Sequence, residues 1–280
     1  MLNKKKLENL DKKTVESFGD EWSKFDQSGL SEEEGKKIFD KYFSIFPWNS
    51  LPKNSIGFDM GCGSGRWAYF VASRVSHLHC IDPSNAINIA KVKLNKFKNL
   101  EFHQSSLDRV KIDDQSQDFG YSLGVLHHVP DTQEAIKSCS KLLKKGAPLL
   151  LYLYYSFDNR PWWFFWIWKM TDILRKFICH LPPKLKVLTT DLIACLVYFP
   201  IARICKILDK LKINTNKVPL SFYKNQSFYT MRTDSRDRFG TILEKRFSQS
   251  EIKQMMERAN LVNVKFSTKE PFWCAVGIKK

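Results

Sequence analysis

No run of about 20 consecutive apolar residues occurs in this chain of 280 residues, so no segment is expected to cross a bilayer as a helix. The most apolar stretches, "PWWFFWIW" and "LIACLVYFPIA", are much shorter and are flanked by Arg160, Lys169, Asp191 and Arg203. Such segments can lie on a membrane surface without spanning it. No C-x-x-C pair occurs among the seven cysteines, and the six histidines show no ligand spacing along the chain, so no metal site is expected. The cysteine count is odd, and the opening "MLNKKKLENLDKK" is charged with no apolar stretch behind it. These features point to no secretory leader and to a reducing, cytoplasmic setting. Acidic residues are scarce, 29 against 45 Lys and Arg, giving a formal charge of +16. The excess fits an anionic partner (nucleic acid, a membrane surface or an acidic substrate) or basic residues scattered without one. There is no internal repeat and no low-complexity tract. With 43% hydrophobic and 26% charged residues, wholesale disorder is excluded, and the length suits one large domain carrying an insertion.

Residues 1–50 read as helical, with Ser31 and Glu34 of "SEEEGKKIFDKYF" spaced as a capping box. From 51 to 155 short apolar runs alternate with amphipathic segments. "SIGFDM", "LHCID", "LEFHQ", "DFGYSLG" and "PLLLYLYY" read as strands, and helices are expected over 65–74, 84–96 and 132–144. This alternation predicts a parallel sheet covered by helices on both faces. Residues 156–247 break the rhythm. Between Pro161 and Lys217 there are ten Lys/Arg against three Asp, and four of the eight tryptophans fall at 162, 163, 166 and 168. This region reads as a helical insertion or lid. Residues 248–280 resume the core: Ser248 and Glu251 form a second capping box, the helix ends near Asn260, and "LVNVKFS" and "FWCAVGI" form a terminal hairpin.

"GFDMGCGSGRW" places a strand ending in Asp59 before Gly61, Gly63 and Gly65. A loop without side chains lets backbone approach a ligand closely. A G-x-G-x-x-G dinucleotide fingerprint would need glycine where Arg66 stands, and a phosphate-binding P-loop would need G-K-[ST]. The remaining pattern, D-x-G-x-G-x-G, suits a nucleoside without a pyrophosphate. Asp82 follows seventeen residues past Gly65, at the tip of the next strand, where a carboxylate can accept ribose hydroxyls.

"GFDMGCGSGRWAYFVA", "CIDPS", "SLGVLHHVPD" and "LLKKGAPLLLY" together resemble the class I S-adenosylmethionine-dependent methyltransferases, and most closely the type 11 subgroup that includes the ubiquinone and menaquinone methyltransferases. The resemblance covers about residues 56–155 and resumes over 248–278. The opening "TVESFGDEWSKFD" resembles the N-terminal cap of related bacterial enzymes. It implies an α/β, Rossmann-like, seven-stranded and mostly parallel sheet with an antiparallel last strand, an N-terminal helical cap and a helical insertion. It further implies S-adenosylmethionine as cofactor, with Asp59, Gly61, Cys62, Gly63, Gly65, Asp82, Ser106, Leu107 and Gly124 as the residues around it. Asp59 would orient the loop and the cofactor's ammonium, and Asp82 would hold the ribose. The family commonly carries an acidic residue near the adenine amino group, where this chain has Ser106 followed by Leu107; a backbone contact or Asp108 could substitute.

Methyl transfer from a sulfonium needs alignment and exclusion of water, and a base only for some acceptors. His127 and His128 are candidates for that base or for packing. Asp237, within the charged segment "SFYTMRTDSRDRFGT", is a third candidate. That segment could bind an anionic or polyhydroxyl acceptor or form an ion-pair network. The tryptophan-rich stretch could form the core of the lid, line an apolar pocket, or meet a membrane through residues 161–178. The expected function is methyl transfer to a small-molecule acceptor such as a glycan, a lipid-linked intermediate or a secondary metabolite. The alternatives are a nucleic-acid methyltransferase, against which the absence of D/N-P-P-[YF] after the fourth strand argues, and a non-catalytic membrane-associated scaffold.

Overall fold

The computed structural model describes residues 8–24 and 29–280. Two helices come first, α1 (Lys12–Lys24) and α2 (Glu32–Tyr42). They are followed by β1 (Ile56–Met60), α3 (Ala68–Val71), β2 (His77–Ile81), α4 (Ala86–Lys93), β3 (Leu100–His103), β4 (Phe119–Leu123), α5 (Thr132–Leu142) and β5 (Pro148–Tyr152). Four further helices are α6 (Trp162–Ile178), α7 (Pro183–Ile193), α8 (Phe199–Lys210) and α9 (Phe228–Gly240). The chain closes with α10 (Gln249–Arg258), β6 (Leu261–Phe266) and β7 (Cys274–Lys279). Two compact units result: Met1–Gln27 with Lys36–Tyr155 and Lys245–Lys280, and Ser28–Gly35 with Ser156–Glu244.

In the first unit seven strands form one sheet in the order β3-β2-β1-β4-β5-β7-β6. The first five pair in parallel, and β7 runs antiparallel to both β5 and β6. Chain order reverses between β1 and β4, which opens a crevice at their carboxyl ends. β4 is buried throughout and β1 nearly so, as expected of parallel strands covered on both faces. Phe58, Ile81, Leu126, Ile136, Leu149 and Met256 belong to the main core. Both halves of the Ser248–Glu251 capping box are made, and Asn260 adopts φ +60° directly after α10. At Ser31 the cap differs from expectation. Ser31 Oγ accepts the Glu34 N–H at 3.2 Å, but Glu34 Oε1 accepts from the Ser227 N–H and Thr230 Oγ1 at the start of α9.

Two expected helices are shorter than their sequence pattern. Gly65 holds φ +82°, outside helical space, so the turn runs on and α3 begins only at Ala68. Ser84 is drawn into a turn by Asp82, and α4 begins at Ala86.

The second unit contains α6 to α9 around a small cluster of Ile178, Tyr198, Ala202, Met231 and Phe239. The charges of the α9 segment are used within this unit. Arg232 grips Asp191 with two hydrogen bonds (3.0 and 2.6 Å), Arg238 meets both oxygens of Glu244, and buried Arg175 binds Asp172 and the carbonyls of Thr241 and Ile242. The tryptophan-rich stretch does not form the lid's core. Phe164 is buried, but Trp162 is 78% exposed and Trp166 54%, with Phe165, Met170, Ile173, Leu174 and Phe177 exposed along the same helix. Their spacing is that of a single helical stripe. Leu185, Leu188 and Leu192 on α7, and Ile204 and Ile207 on α8, are exposed likewise. Among the described residues no helix is long and apolar enough to cross a membrane.

At the centre of the sheet two glycines and two phenylalanines interlock. Gly57 pairs with Phe119 and Phe58 with Gly120. A Cβ on Gly57 would lie 2.3 Å from the Phe119 ring, and one on Gly120 2.1 Å from the Phe58 ring. Each ring thus occupies the space the neighbouring strand leaves empty. We predict that Gly120→Ala lowers unfolding stability in urea by at least about 1–3 kcal/mol, the usual range for overpacking, and that Phe58→Leu in the same chain recovers part of the loss.

Candidate functional site

The loop after β1 is held by backbone and by one side chain. The N–H groups of Gly61 and Cys62 both donate to the Ile81 carbonyl (2.8 and 3.0 Å), and the Gly63 N–H donates to Asp82 Oδ2 (2.8 Å). Asp82 Oδ1 accepts from the Ser84 N–H (2.8 Å) and Ser84 Oγ (2.6 Å). One carboxylate therefore joins the glycine loop to the turn following β2. Burial pushes its pKa up, and the hydrogen bonds from Ser84 and Gly63 act against that rise.

The three glycines of the loop differ in purpose. At Gly61 (φ +79°) a Cβ would sit 2.4 Å from Val125, and at Gly65 2.5 Å from Leu94. At those two positions the missing side chain admits the protein's own packing. At Gly63 the nearest atom to such a Cβ is Nε1 of Trp22, at 3.4 Å. Gly63 is thus buried against an indole from α1, with room for contact but no clash. Gly124, φ +81°, has nothing within 4 Å of its own Cβ position.

Asp59 is fully buried, in register with Cys80 of β2 and Tyr121 of β4. Neither carboxylate oxygen has a hydrogen-bond partner. The loop is therefore oriented by Asp82, not by Asp59. Burial raises the Asp59 pKa to about 8; the adjacent Tyr121 hydroxyl lowers it without reaching hydrogen-bond geometry, and the Asp82 charge raises it. Ser64 Oγ, in the same loop, is also buried without a partner. A buried carboxylate with two unused oxygens is suited to a cationic ligand group. Cys62 is buried, its Sγ lies 3.8 Å from the Gly63 carbonyl, and its thiol is pushed well up, first by Cys80 and then by burial; it packs the loop.

Residues unnoticed in the sequence complete this end of the sheet. Ser106 is buried, and its hydroxyl donates to Glu8 Oε1 at 2.5 Å. Asn9 binds the Asp131 backbone through both its side-chain atoms, and its N–H donates to Asp108. The Phe18 ring lies 5.0 Å from His128, and Gly19 meets the turn at Ser84. Leu107 packs against the main core. The weak likeness of "TVESFGDEWSKFD" to an N-terminal cap was the one signal for Trp22; nothing in the sequence marked Glu8.

His127 is fully buried and stacks on Tyr154 with centroids 3.9 Å apart. Burial, then the charges of His128 and Arg246, hold its pKa well below that of a free histidine. Such an imidazole is neutral but weakly basic, which suits packing better than proton abstraction. Asp237 lies in the second unit on α9, where Thr241 Oγ1 donates to its carbonyl at 2.7 Å.

Residues 58–151 match the family described as a methyltransferase domain. This part of the chain is thus similar to class I S-adenosylmethionine-dependent methyltransferase domains, and it falls within the Rossmann-like sheet. Over 126 residues it is 29% identical to phosphoethanolamine N-methyltransferase 2 of Caenorhabditis elegans, a match covering 44% of this chain and 28% of that protein. Over 128 residues it is 28% identical to a ubiquinone biosynthesis O-methyltransferase of Coxiella burnetii, covering 45% of this chain and 52% of the relative. The chain thus spans about half or less of these relatives' length. Among solved structures, phosphoethanolamine N-methyltransferase 1 of Haemonchus contortus, in complex with phosphoethanolamine and S-adenosylhomocysteine, is 16% identical with a TM-score of 0.41, over 48% of this chain and 31% of that one.

The burial of Asp59 has a consequence for stability. Its carboxyl titrates near 8 in the fold against 3.8 when free, so between those values the folded chain keeps a proton that the unfolded chain has released. Its stabilising contribution is full below the lower value and is lost as pH rises through the higher one. We expect the melting temperature of Asp59→Asn to vary less between pH 5 and pH 8 than that of the unsubstituted chain, and to be the higher of the two at pH 8.

Proposed function

We propose that the chain is an S-adenosylmethionine-dependent methyltransferase acting on a small-molecule acceptor. The observation that carries this reading is the unpartnered, buried Asp59 carboxylate on the strand that leads into the glycine loop. These residues fit the cofactor: Asp59 takes up the ammonium, and the Gly61–Gly65 loop receives the methionine part. Asp82 turns to the ribose hydroxyls the lone pairs not used by Gly63 and Ser84. Glu8, held at Ser106, supplies for the adenine amino group the carboxylate that position 106 lacks. When bound, the cofactor supplies an electrophilic methyl on a sulfonium. The protein aligns the acceptor with it and keeps water away, with Trp22 covering the loop. His127 and His128 anchor the segment after β4, and no proton transfer is assigned to them.

Calorimetric titration with S-adenosylmethionine and with its demethylated product tests this reading. Asp82→Ala is expected to weaken both at least about tenfold, or about 1.4 kcal/mol, because the ribose contact and the loop latch are lost together. Unchanged affinity would refute the assignment, and absence of heat with either compound in the unsubstituted chain would favour the scaffold alternative. Binding should also be linked to pH. Asp59 is largely protonated below about 8 in the free chain and ionised against an ammonium, so affinity should increase as pH approaches 8 and fall again above it, as the free cofactor's ammonium loses its proton.

The outward apolar stripes of α6, α7 and α8 favour one elaboration, in which the acceptor is lipid-linked and is met at a membrane surface. Exposed apolar residues on three helices, with Lys169, Lys176, Lys184 and Lys206 among them, have the composition of interfacial helices. We expect the chain to float with anionic vesicles at low salt, and the triple substitution Trp162→Ala, Trp166→Ala, Phe177→Ala to reduce the floated fraction severalfold. Equal flotation of the two would remove the membrane from this proposal.

A further inference from the structure

Three histidines and a glutamate that are scattered along the chain meet at the edge of the sheet. His77 and His79 alternate with Leu78 on β2 and so share a face, while Leu78 and Cys80, on the opposite face, are fully buried. On the edge strand β3, Glu101 pairs directly with His79, and His103 pairs with Ile81. Glu101 and His103, two residues apart, therefore rise on the same face as the two histidines. The side chains converge: His77 Nε2 and His79 Nδ1 each lie 3.3 Å from Glu101 Oε2, His103 Nε2 lies 3.5 Å from Glu101 Oε1, and His79 Nδ1 lies 3.0 Å from His103 Nε2.

We propose that His77, His79 and Glu101 form a three-ligand zinc site on the β2–β3 edge, with solvent completing the shell. The donor separations carry the argument. Ligands about 2.0–2.1 Å from a tetrahedral zinc ion stand about 3.3–3.4 Å apart, and both imidazole nitrogens lie 3.3 Å from the same carboxylate oxygen, Oε2, with one donor atom from each of the three residues within 4.8 Å of the others. His103 faces the other carboxylate oxygen and is not a ligand. The donor set supports the same choice. Two imidazole nitrogens and one carboxylate oxygen suit a borderline first-row cation and do not suit Ca²⁺ or Mg²⁺, which take oxygen ligands in larger or octahedral shells. Access is open, because the Glu101 side chain is about half exposed and that of His77 one third exposed. No linear motif announces the site, since its ligands come from two strands and are brought together only by their parallel register.

The ion would tie the edge strand to the first half of β2, the strand whose opposite end leads into Asp82. The proposal stands apart from the catalytic reading, and its test needs no cofactor.

The full-length chain is stripped with a chelator, dialysed and titrated calorimetrically with Zn²⁺. The comparison is His77→Ala/Glu101→Ala, altered at the more exposed ligands to spare the fold, with circular dichroism confirming that it is folded. One equivalent of Zn²⁺ is expected to bind the unsubstituted chain, with affinity falling at least about a hundredfold in the double variant, as befits loss of two direct ligands. Co²⁺ in place of Zn²⁺ should give the intense visible bands of tetrahedral coordination, and these should vanish in the variant. Zn²⁺ binding that is absent from the unsubstituted chain, or equal in stoichiometry and affinity in the two proteins, would overturn the proposal. If the double variant fails to fold, His79→Gln serves in its place, judged by the same loss of Co²⁺ bands.

Discussion

The candidate site depends on one carboxylate. Asp82 accepts the Gly63 N–H with one oxygen and Ser84 with the other, so two loops from adjacent strands share a single anionic fixture. Charge-assisted hydrogen bonds of this kind are stronger than neutral ones, and here they are buried, where little water competes for them. The glycine loop thus has a defined shape without contacts from its own side chains. The turn into α4 is set by the same group, which is why that helix begins later than its sequence pattern suggests.

Asp59 has the opposite character. It is buried in the middle of the sheet, its oxygens are unsatisfied, and its proton is held to near neutral pH. In a fold optimised for stability alone such a group would be replaced; strained or unsatisfied polar groups gather where function needs them. Asp82 is satisfied within the protein and gives shape, whereas Asp59 is unsatisfied and leaves affinity in reserve. Two acids that look equivalent in the sequence, each closing a strand, thereby divide structure from recognition.

The strands were legible because parallel strands buried on both faces are short apolar runs, and the Asp59–Gly65 loop was legible because few folds tolerate so many glycines between a strand and a helix. The start of α3 was not, since residue type does not disclose that Gly65 is left-handed. The aromatic stripe of α6 was visible as a period, but periodicity shows that a face exists and not what it meets; the structure turns it outward. The packing role of Gly61 and Gly65 was not legible because Val125 and Leu94, which lie where their side chains would be, are distant in sequence. The approach of Glu8 to Ser106 spans 98 positions and follows no pattern.

The interlocked pairs at the centre of the sheet bear on how this chain can change over time. Gly57 lies under Phe119, and Gly120 under Phe58, on neighbouring strands. Neither member of a pair can drift in size by itself, because the space belongs to both. In related sequences these four positions should therefore vary as coupled columns, with a bulkier residue at one tolerated only alongside a smaller one across the ladder.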